Sequence, residues 1–266
     1  MGGRGSKSRA TPAATPLWQS ATHAAQQAVT QAQQTNPQQQ PANLQTGSDT
    51  QTTAQATATL ATIANMTDDQ LAAAIIASRN VDMPNFLNDR PDVTQRFVYQ
   101  VGLNGLPTVM DATQFRQFMQ QNNIPNSEML SRSLNPAQTK YGLPITTQQM
   151  MNSFKYSELN YIGGKRGGQA YGAGTYFDMN GGRNTGYGRD TMNAILNPAT
   201  ARVIDYATLH SRAIRFAQSH PKTARAIGGF GSNNNEAVYA LMLGYNVIRG
   251  GSYHNVIDRS AVIVRD

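Results

Sequence analysis

The stretch from Tyr161 to Tyr187, YIGGKRGGQAYGAGTYFDMNGGRNTGY, contains the residue types best suited to binding chemistry in this sequence. Its glycines allow the backbone to turn with positive φ and to approach a ligand closely. Tyr176 stands at the end of a glycine-rich turn, and Tyr187 follows eleven residues later. Two tyrosines held by a strand and a returning loop can enclose a flat ring by stacking. The pattern therefore predicts a site for a planar aromatic group.

A positive charge upstream adds a second element to this site. Arg132 lies in the strand-like segment 130–134, and a guanidinium fork is suited to binding phosphate. A flat ring together with a diphosphate indicates a dinucleotide, here without a Rossmann turn. Spacing alone also fits a glycine-rich surface loop whose aromatic residues belong to the core. These two interpretations stay open at this point.

Several other chemistries are excluded by residue types and spacing. The chain has no cysteine, which excludes disulfides, zinc fingers and a thiol nucleophile. No Gly-x-Ser-x-Gly elbow and no phosphate-binding loop of the Walker type is present. The histidines have no metal-ligand spacing, so no metal site is predicted. They are scattered along the chain as His23, His210, His220 and His254.

The first part of the 266-residue chain differs in composition from the rest. Residues 1–60 are rich in Gln, Ala and Thr, with Asp49 as their only acid and Trp18 as their only aromatic residue. Such a segment buries too little apolar surface to offset its chain entropy. We predict a disordered tail over 1–60. The alternative is a tether or packaging segment that orders on a partner.

The next segment, 61–125, is predicted to be a small helical region that packs on the C-terminal part of the chain. Thr67 and Gln70 have the spacing of a capping box, and apolar residues come after them at helical intervals. A second short helix is predicted over 95–101. Phe115, Phe118 and Met119 form the apolar face of a third helix after Asp111.

From residue 126 the pattern mixes short strands with helices, which indicates an α+β fold. Strands are predicted at 129–134, 174–177, 192–196, 202–205, 246–248, 256–257 and 261–264. Helices are predicted at 147–154, 206–219 and 235–244. Gly244 is a suitable C-terminal cap for the last helix. Residues 126–266 are therefore predicted to form the main domain.

Taken together, Arg132, the run GAGTYF and Tyr187 resemble the core of the ADP-ribosyltransferase superfamily. In that superfamily an Arg or His on a first strand binds NAD. A second strand carries Ser-Thr-Ser or, in the poly(ADP-ribose) polymerase and diphtheria-toxin branch, a Gly-x-Tyr-Phe-Ala element, and a later tyrosine stacks on nicotinamide. The segment 174–178 matches this element except for Asp178, where Ala is usual. The C-terminal segments and the MGGRGS start resemble phage-encoded members, and the resemblance covers about residues 90–266.

The resemblance implies a split β-sandwich core that binds NAD as a substrate. Arg132 and Tyr176 then have catalytic as well as binding roles. The residues expected to contact NAD are Arg132, Ser133, Gly174, Thr175, Tyr176, Phe177 and Tyr187. Tyr176 and Tyr187 match the two stacking tyrosines, including their separation. Ser133 is a small departure, because glycine is common at that position.

One departure from the family pattern concerns catalysis. The family has a Glu at the start of a late strand, but the equivalent stretch 252–258 contains none. His254 or Asn255 is expected at that position. Glu236 is a further candidate, although it also fits a helix N-terminal charge favoured by the helix dipole. A neutral group there stabilises a cation poorly, so the sequence predicts slow turnover with NAD binding retained.

The resemblance implies an NAD-dependent mono-ADP-ribosyltransferase of phage origin that modifies host proteins. The alternative is a non-catalytic phage head or internal virion protein that retains the fold. Its partners would be a host acceptor protein or other phage structural proteins, and its location the virion or the host cytoplasm. The net charge of +7 raises nucleic-acid binding as a third interpretation, but the basic residues are dispersed, so nucleic acid is not expected as a partner. No apolar run is long enough to span a membrane.

Overall fold

The structure, a computed structural model, describes residues 53–81, 93–103, 105–138, 144–156, 174–179, 190–229 and 235–266. Tyr187 and all of the glycine-rich stretch before Gly174 lie outside these ranges, as do residues 1–52 of the predicted tail. The described residues form a mixed α/β structure with one large sheet. None of their helices combines the length and the apolar composition that crossing a bilayer requires.

The helices are numbered in chain order. They are α1 Thr53–Ala64, α2 Asp68–Ser78, α3 Val93–Gln100, α4 Ala112–Gln121, α5 Thr147–Tyr156, α6 Tyr206–Ser219, α7 Pro221–Ile227 and α8 Glu236–Met242. The strands are β1 Thr108–Met110, β2 Leu130–Leu134, β3 Ala137–Gln138, β4 Pro144–Ile145, β5 Thr175–Asp178, β6 Asp190–Leu196, β7 Val203–Asp205, β8 Val247–Gly250, β9 Tyr253–Val256 and β10 Val262–Arg265. Short 3-10 turns lie at Asn126–Glu128 and Arg259–Ala261.

The large sheet has eight strands in the order β1-β10-β6-β2-β5-β9-β8-β7, and β3 and β4 pair separately. Neighbouring strands are antiparallel except in the two outermost pairs, β1 with β10 and β7 with β8. Short strands thus alternate irregularly with helices around one open sheet. The α+β class predicted from the sequence is confirmed at this level.

The two faces of the sheet are covered differently. We call the face that carries Phe177 the back face and the face that carries Tyr176 the front face, since successive strand residues point to opposite sides. The back face is an apolar core, which includes Phe154 of α5. On the front face, the helices α1–α3 and α6–α8 pack over Ile204 and Ile248 at one end. At the other end, α4 packs on β6 and β10.

The predicted domain boundaries need one correction. Helix α1 begins at Thr53, so ordered structure starts before residue 61. Ala56, Leu60 and Ile63 recur at helical spacing and are buried in the chain's interior. They form a short apolar stripe, although the surrounding residues share the composition of the predicted tail.

The described residues of 61–125 form helices α2, α3 and α4, and they also contribute a strand. β1 pairs in parallel with β10, the last strand of the sheet. Helices α2 and α3 share one apolar core with α6, α7 and α8. The helical segment is thus continuous with the main domain through both its sheet and its core, as the expectation of packing implied.

Candidate functional site

Four polar side chains form one row across the middle of the front face. Tyr176 of β5 pairs with Asn255 of β9, and Ser133 of β2 pairs with Thr191 of β6. β2 and β5 pair at Ser131 and Asp178, and Ser133, two positions along β2, lies on the same face as Tyr176. Directly opposed residues share a face. The row therefore runs Asn255, Tyr176, Ser133, Thr191.

A second polar row lies beside the first on the same face. It is fixed by the same register and consists of Tyr253, Asp178, Ser131 and Asn193. We call these two rows of residues the polar patch. Ser131 and Asn255 are fully buried, which is unusual for polar side chains in the centre of a sheet. The Oγ of Ser133 and the Oγ1 of Thr191 have no hydrogen-bond partner among the described residues.

Helices stand on both sides of the polar patch. On one side, α8 packs against β8, where Ile248 is the direct neighbour of Asn255. On the other side, Phe115 and Met119 of α4 pack on apolar residues of β6 and β10. The patch therefore lies between two apolar, helix-covered parts of the sheet. Such an arrangement, polar groups flanked by apolar walls, is typical of ligand sites.

Arg132 is adjacent to the polar patch but points to the other face. It alternates with Ser131 and Ser133 along β2 and shares its side with Leu130 and Leu134 of the back core. Its Nη1 donates a hydrogen bond to the main-chain oxygen of Tyr176 at 3.1 Å. The guanidinium thus lies at the β2–β5 junction and helps to fix the strand that carries the tyrosine.

Thr175 and Phe177 flank Tyr176 and are buried on the back face. The ring of Phe177 meets that of Phe154 edge to face, with 5.9 Å between their centroids. Gly174 precedes them and lies against the side chain of Asn255. Of the predicted NAD contacts on β5, Tyr176 is thus the side chain on the front face, whereas Phe177 serves the core.

The two groups expected in place of the catalytic Glu point in opposite directions. Asn255 lies in the polar row opposite Tyr176, whereas His254 lies opposite Phe177 on the back face. Burial, reinforced by the positive charge of Arg249, lowers the pKa of His254 to about 4, although Asp205 opposes this shift. His254 is therefore neutral near pH 7. Asn255 is the residue of this pair that shares a face with Tyr176.

Glu236, the first residue of α8, is 5% exposed. Its Oε2 has no hydrogen-bond partner within the described ranges. The preceding Asn235 donates from Nδ2 to the main-chain oxygens of Ile227 and Gly229, at 3.1 and 3.2 Å. These bonds fix the start of α8. Glu236 is thus a buried acid on the helix beside the patch, rather than a solvated charge at an exposed helix end.

Asp258, the one acid of the stretch 252–258, is fully buried behind β9. Its carboxylate accepts hydrogen bonds from the main-chain N and the Oγ of Ser260, at 3.2 and 2.5 Å. Burial raises its pKa to about 6, even though the Ser260 contacts, Arg259 and Asn246 favour the charged form. This carboxylate holds the turn before β10 and does not face the polar patch.

Asp178 belongs to the patch but was not among the residues that the sequence nominated. It is partly buried, and this burial raises the pKa of its carboxyl above the ordinary range. Its carboxylate makes no ion pair with the described residues, whose ion pairs involve Asp266, Asp69 and Asp205. The available signal in the sequence was its departure from the Gly-x-Tyr-Phe-Ala pattern, to which no role was assigned.

Comparisons give no independent indication of identity. The chain matches no model of a protein family, no curated protein and no solved structure. Within the described part of the chain, no group of three or more acidic or histidine side chains is arranged to hold a metal ion. The candidate site is therefore the polar patch; Arg132 lies behind it on the back face, and Glu236 begins the helix that packs against the neighbouring strand β8.

Proposed function

We propose that this chain is an NAD-dependent mono-ADP-ribosyltransferase of phage origin that modifies host proteins. The observation that carries the proposal is the adjacency of three strands in the order β2-β5-β9. They carry Arg132, Tyr176 and Asn255, respectively. The family pattern expects the NAD-binding arginine, the tyrosine element and the acidic position on three such strands. In this chain those strands are far apart in sequence and neighbours in the sheet.

The polar patch supplies groups that suit nicotinamide riboside. Tyr176 offers an aromatic face, and Ser133, Thr191 and Asn255 offer hydroxyl and amide groups in the same row. Arg132, on the back face, holds the main chain of Tyr176 through its hydrogen bond. NAD would lie over the front face of the β2–β5 junction, with its ring at the patch. The split β-sandwich of the superfamily stays part of this proposal.

Asn255 at the position of the family's Glu is neutral, so it stabilises a ribosyl cation less well than a carboxylate. Catalysis in this proposal depends mainly on positioning of the nicotinamide bond. The nucleophile is a side chain of the acceptor protein. The protein would encounter such an acceptor in the virion or in the host cytoplasm.

The first experiment is calorimetric titration of the full chain with NAD, followed by measurement of nicotinamide release. Arg132→Ala is expected to weaken NAD binding about ten- to a hundredfold, because it removes the charge-assisted hydrogen bond that holds the main chain of Tyr176. Arg225→Ala is the matched control, since Arg225 is an exposed arginine on α7. An Arg132→Ala variant that folds and binds NAD like the parent chain contradicts the assignment of Arg132.

The second candidate function is a phage structural protein that keeps the fold without turnover. It is favoured by one observation, which is that both groups at the late-strand position, His254 and Asn255, are uncharged near pH 7. NAD binding without nicotinamide release, and without transfer of labelled ADP-ribose to host proteins, supports this alternative. Release of nicotinamide at a rate above the uncatalysed reaction supports the transferase.

A further inference from the structure

We propose that Asp178 supplies the catalytic carboxylate that β9 lacks, an inference that rests on the proposed NAD chemistry. In the family pattern the carboxylate stands on the late strand, and position 178 is usually Ala. In this chain the late strand carries Asn255, and position 178 carries Asp. The two departures lie on adjacent strands and on the same face of the sheet.

The register places these two positions close together. Asp178 pairs with Tyr253, and Tyr176 pairs with Asn255. Asp178 and Asn255 are therefore diagonal neighbours, for which the Cα separation is about 7–8 Å. Both side chains lie on the front face, so a charge at either position is next to Tyr176. Moving the negative charge from β9 to β5 keeps it within the polar patch.

The surroundings of Asp178 also favour a role in binding. It lies beside Tyr176, two positions along the same strand, so the acid and the stacking ring share one face. The described residues provide no ion pair for its carboxylate. Burial disfavours the charged form of this carboxylate. A cationic ligand group, such as the pyridinium ring or the ribosyl cation, would favour that form.

The chemical step balances with this carboxylate as an electrostatic group. The bond between ribose C1′ and the nicotinamide nitrogen breaks, and its electron pair leaves with nicotinamide, whose ring becomes neutral. Positive charge develops on C1′ and the ribose ring oxygen, where Asp178 stabilises it. The acceptor nucleophile, or water, then forms the new bond to C1′ and releases its proton to solvent. Asp178 stays ionised throughout the step.

The test compares four proteins as full chains: the parent, Asp178→Asn, Asn255→Asp and the double variant with both changes. Each substitution exchanges an amide for a carboxylate of the same size, so packing is preserved. Asp178→Asn is expected to lower kcat for nicotinamide release about a hundredfold, the usual effect of removing one preorganised electrostatic group. The double variant, which returns the charge to β9, is expected to recover at least tenfold of that loss. Glu128→Gln, a change at an exposed carboxylate before β2, is the control that leaves kcat unchanged.

Two further readouts separate catalysis from folding. The parent chain should lose activity as pH falls through the raised pKa of Asp178, and Asp178→Asn should lack that dependence. The parent should also bind NAD⁺ more tightly than NADH, whose ring is neutral, by about fivefold. Asp178→Asn should lose this preference, and its melting temperature should stay within a few degrees of the parent's.

The outcomes distinguish this proposal from the one on which it depends. Unchanged kcat in Asp178→Asn, with nicotinamide release intact, overturns the role of Asp178 and leaves the transferase standing. A parent chain that binds NAD but releases no nicotinamide overturns both. A large loss in Asp178→Asn without any recovery in the double variant, together with a lowered melting temperature, assigns Asp178 to the structure instead.

Discussion

The side-chain oxygen of Asn255 fills the space beside Gly174 that the Cβ atom of any other residue at position 174 would need. An added Cβ would lie 2.0 Å from Oδ1 of Asn255 and 2.8 Å from the main-chain oxygen of Val256. Contacts this short cannot form without movement of β5 or β9. The glycine before the tyrosine element is therefore required for the close approach of these two strands.

Gly174→Ala should consequently destabilise the protein by about 1–3 kcal/mol, the usual cost of forcing extra atoms into a packed site. The double variant with Asn255→Ala should recover part of this loss. Recovery should be incomplete, because the contact with the main chain of Val256 remains. Denaturant unfolding of the two single variants and the double variant measures both effects. Wild-type stability in Gly174→Ala would show that the strands separate easily at this point.

A second prediction concerns the pH dependence of stability. The pKa of His254 falls from its ordinary 6.5 to about 4 on folding, chiefly through burial. Below pH 6.5 the unfolded chain takes up a proton that the folded chain does not, so stability falls as pH drops from 6.5 to 4. The pKa of Asp258 rises from 3.8 to about 6, again chiefly through burial. Above pH 3.8 the unfolded chain loses a proton that the folded chain keeps, so this group lowers stability as pH rises to 6.

These two slopes oppose each other, and the parent chain should therefore show a nearly level contribution from them between pH 4 and 6. His254→Asn removes the contribution of His254 and keeps that of Asp258, so the stability of this variant should fall as pH rises through that range. Asp258→Asn should show the reverse. Each slope approaches about 1.4 kcal/mol per pH unit, the value for one proton. Denaturant unfolding at half-unit pH steps tests this, and parallel profiles for both variants and the parent would contradict it.

A third prediction concerns the N-terminal segment. Deletion of residues 1–52 should leave the melting temperature nearly unchanged, because their composition offers little apolar surface. Deletion of residues 1–64 should lower it by at least about 10 °C, since it removes the buried Leu60 and Ile63 of α1. Differential scanning calorimetry of the two truncations measures the difference. Equal melting temperatures would show that α1 contributes no stabilising contacts.

Local patterns predicted the elements of the main domain well. Helix α6 spans Tyr206–Ser219, as the sequence indicated. The strands β2, β5, β6 and β10 agree with their predicted bounds to within two residues. The elements that the sequence did not predict were short or atypical. β1 has three residues and little burial, and α7 has seven residues, of which Pro221 is the first. Such segments have too few side chains to display a period.

The site could be predicted only in part, for a related physical reason. Alternation along a strand shows that Tyr176 and Phe177 point to opposite faces, and it is visible in the sequence. Which strands become neighbours depends on contacts across the whole chain. Only the β5–β9 register shows that Asn255 lies on the same face as Tyr176 and that His254 lies on the opposite face. The role of Asp178 needed the same register.

The last prediction uses the two faces of β5 to separate binding from folding. Tyr176 lies on the front face at the polar patch, whereas Phe177 is fully buried against Phe154. Phe177→Ala should lower the free energy of unfolding by about 3–5 kcal/mol through the cavity it leaves. Tyr176→Ala should change stability by much less. It should instead weaken NAD binding by the loss of a stacking contact, about two- to thirtyfold.

Tyr176→Phe keeps the ring and should bind NAD almost as well as the parent, which makes it the matched control for the hydroxyl. Tyr187 lies outside the described residues, but it is the expected second face of the clamp. If both rings enclose nicotinamide, the double alanine variant should depart from additivity, because the two rings share one ligand group. The measurement is the calorimetric NAD affinity and the melting temperature of the alanine and phenylalanine variants of Tyr176 and Tyr187 and of the double alanine variant. Alanine variants that stay folded and bind NAD normally would remove Tyr176 and Tyr187 from the site. The case for NAD would then depend on Arg132 alone, a single arginine whose located hydrogen bond is to the main chain of Tyr176.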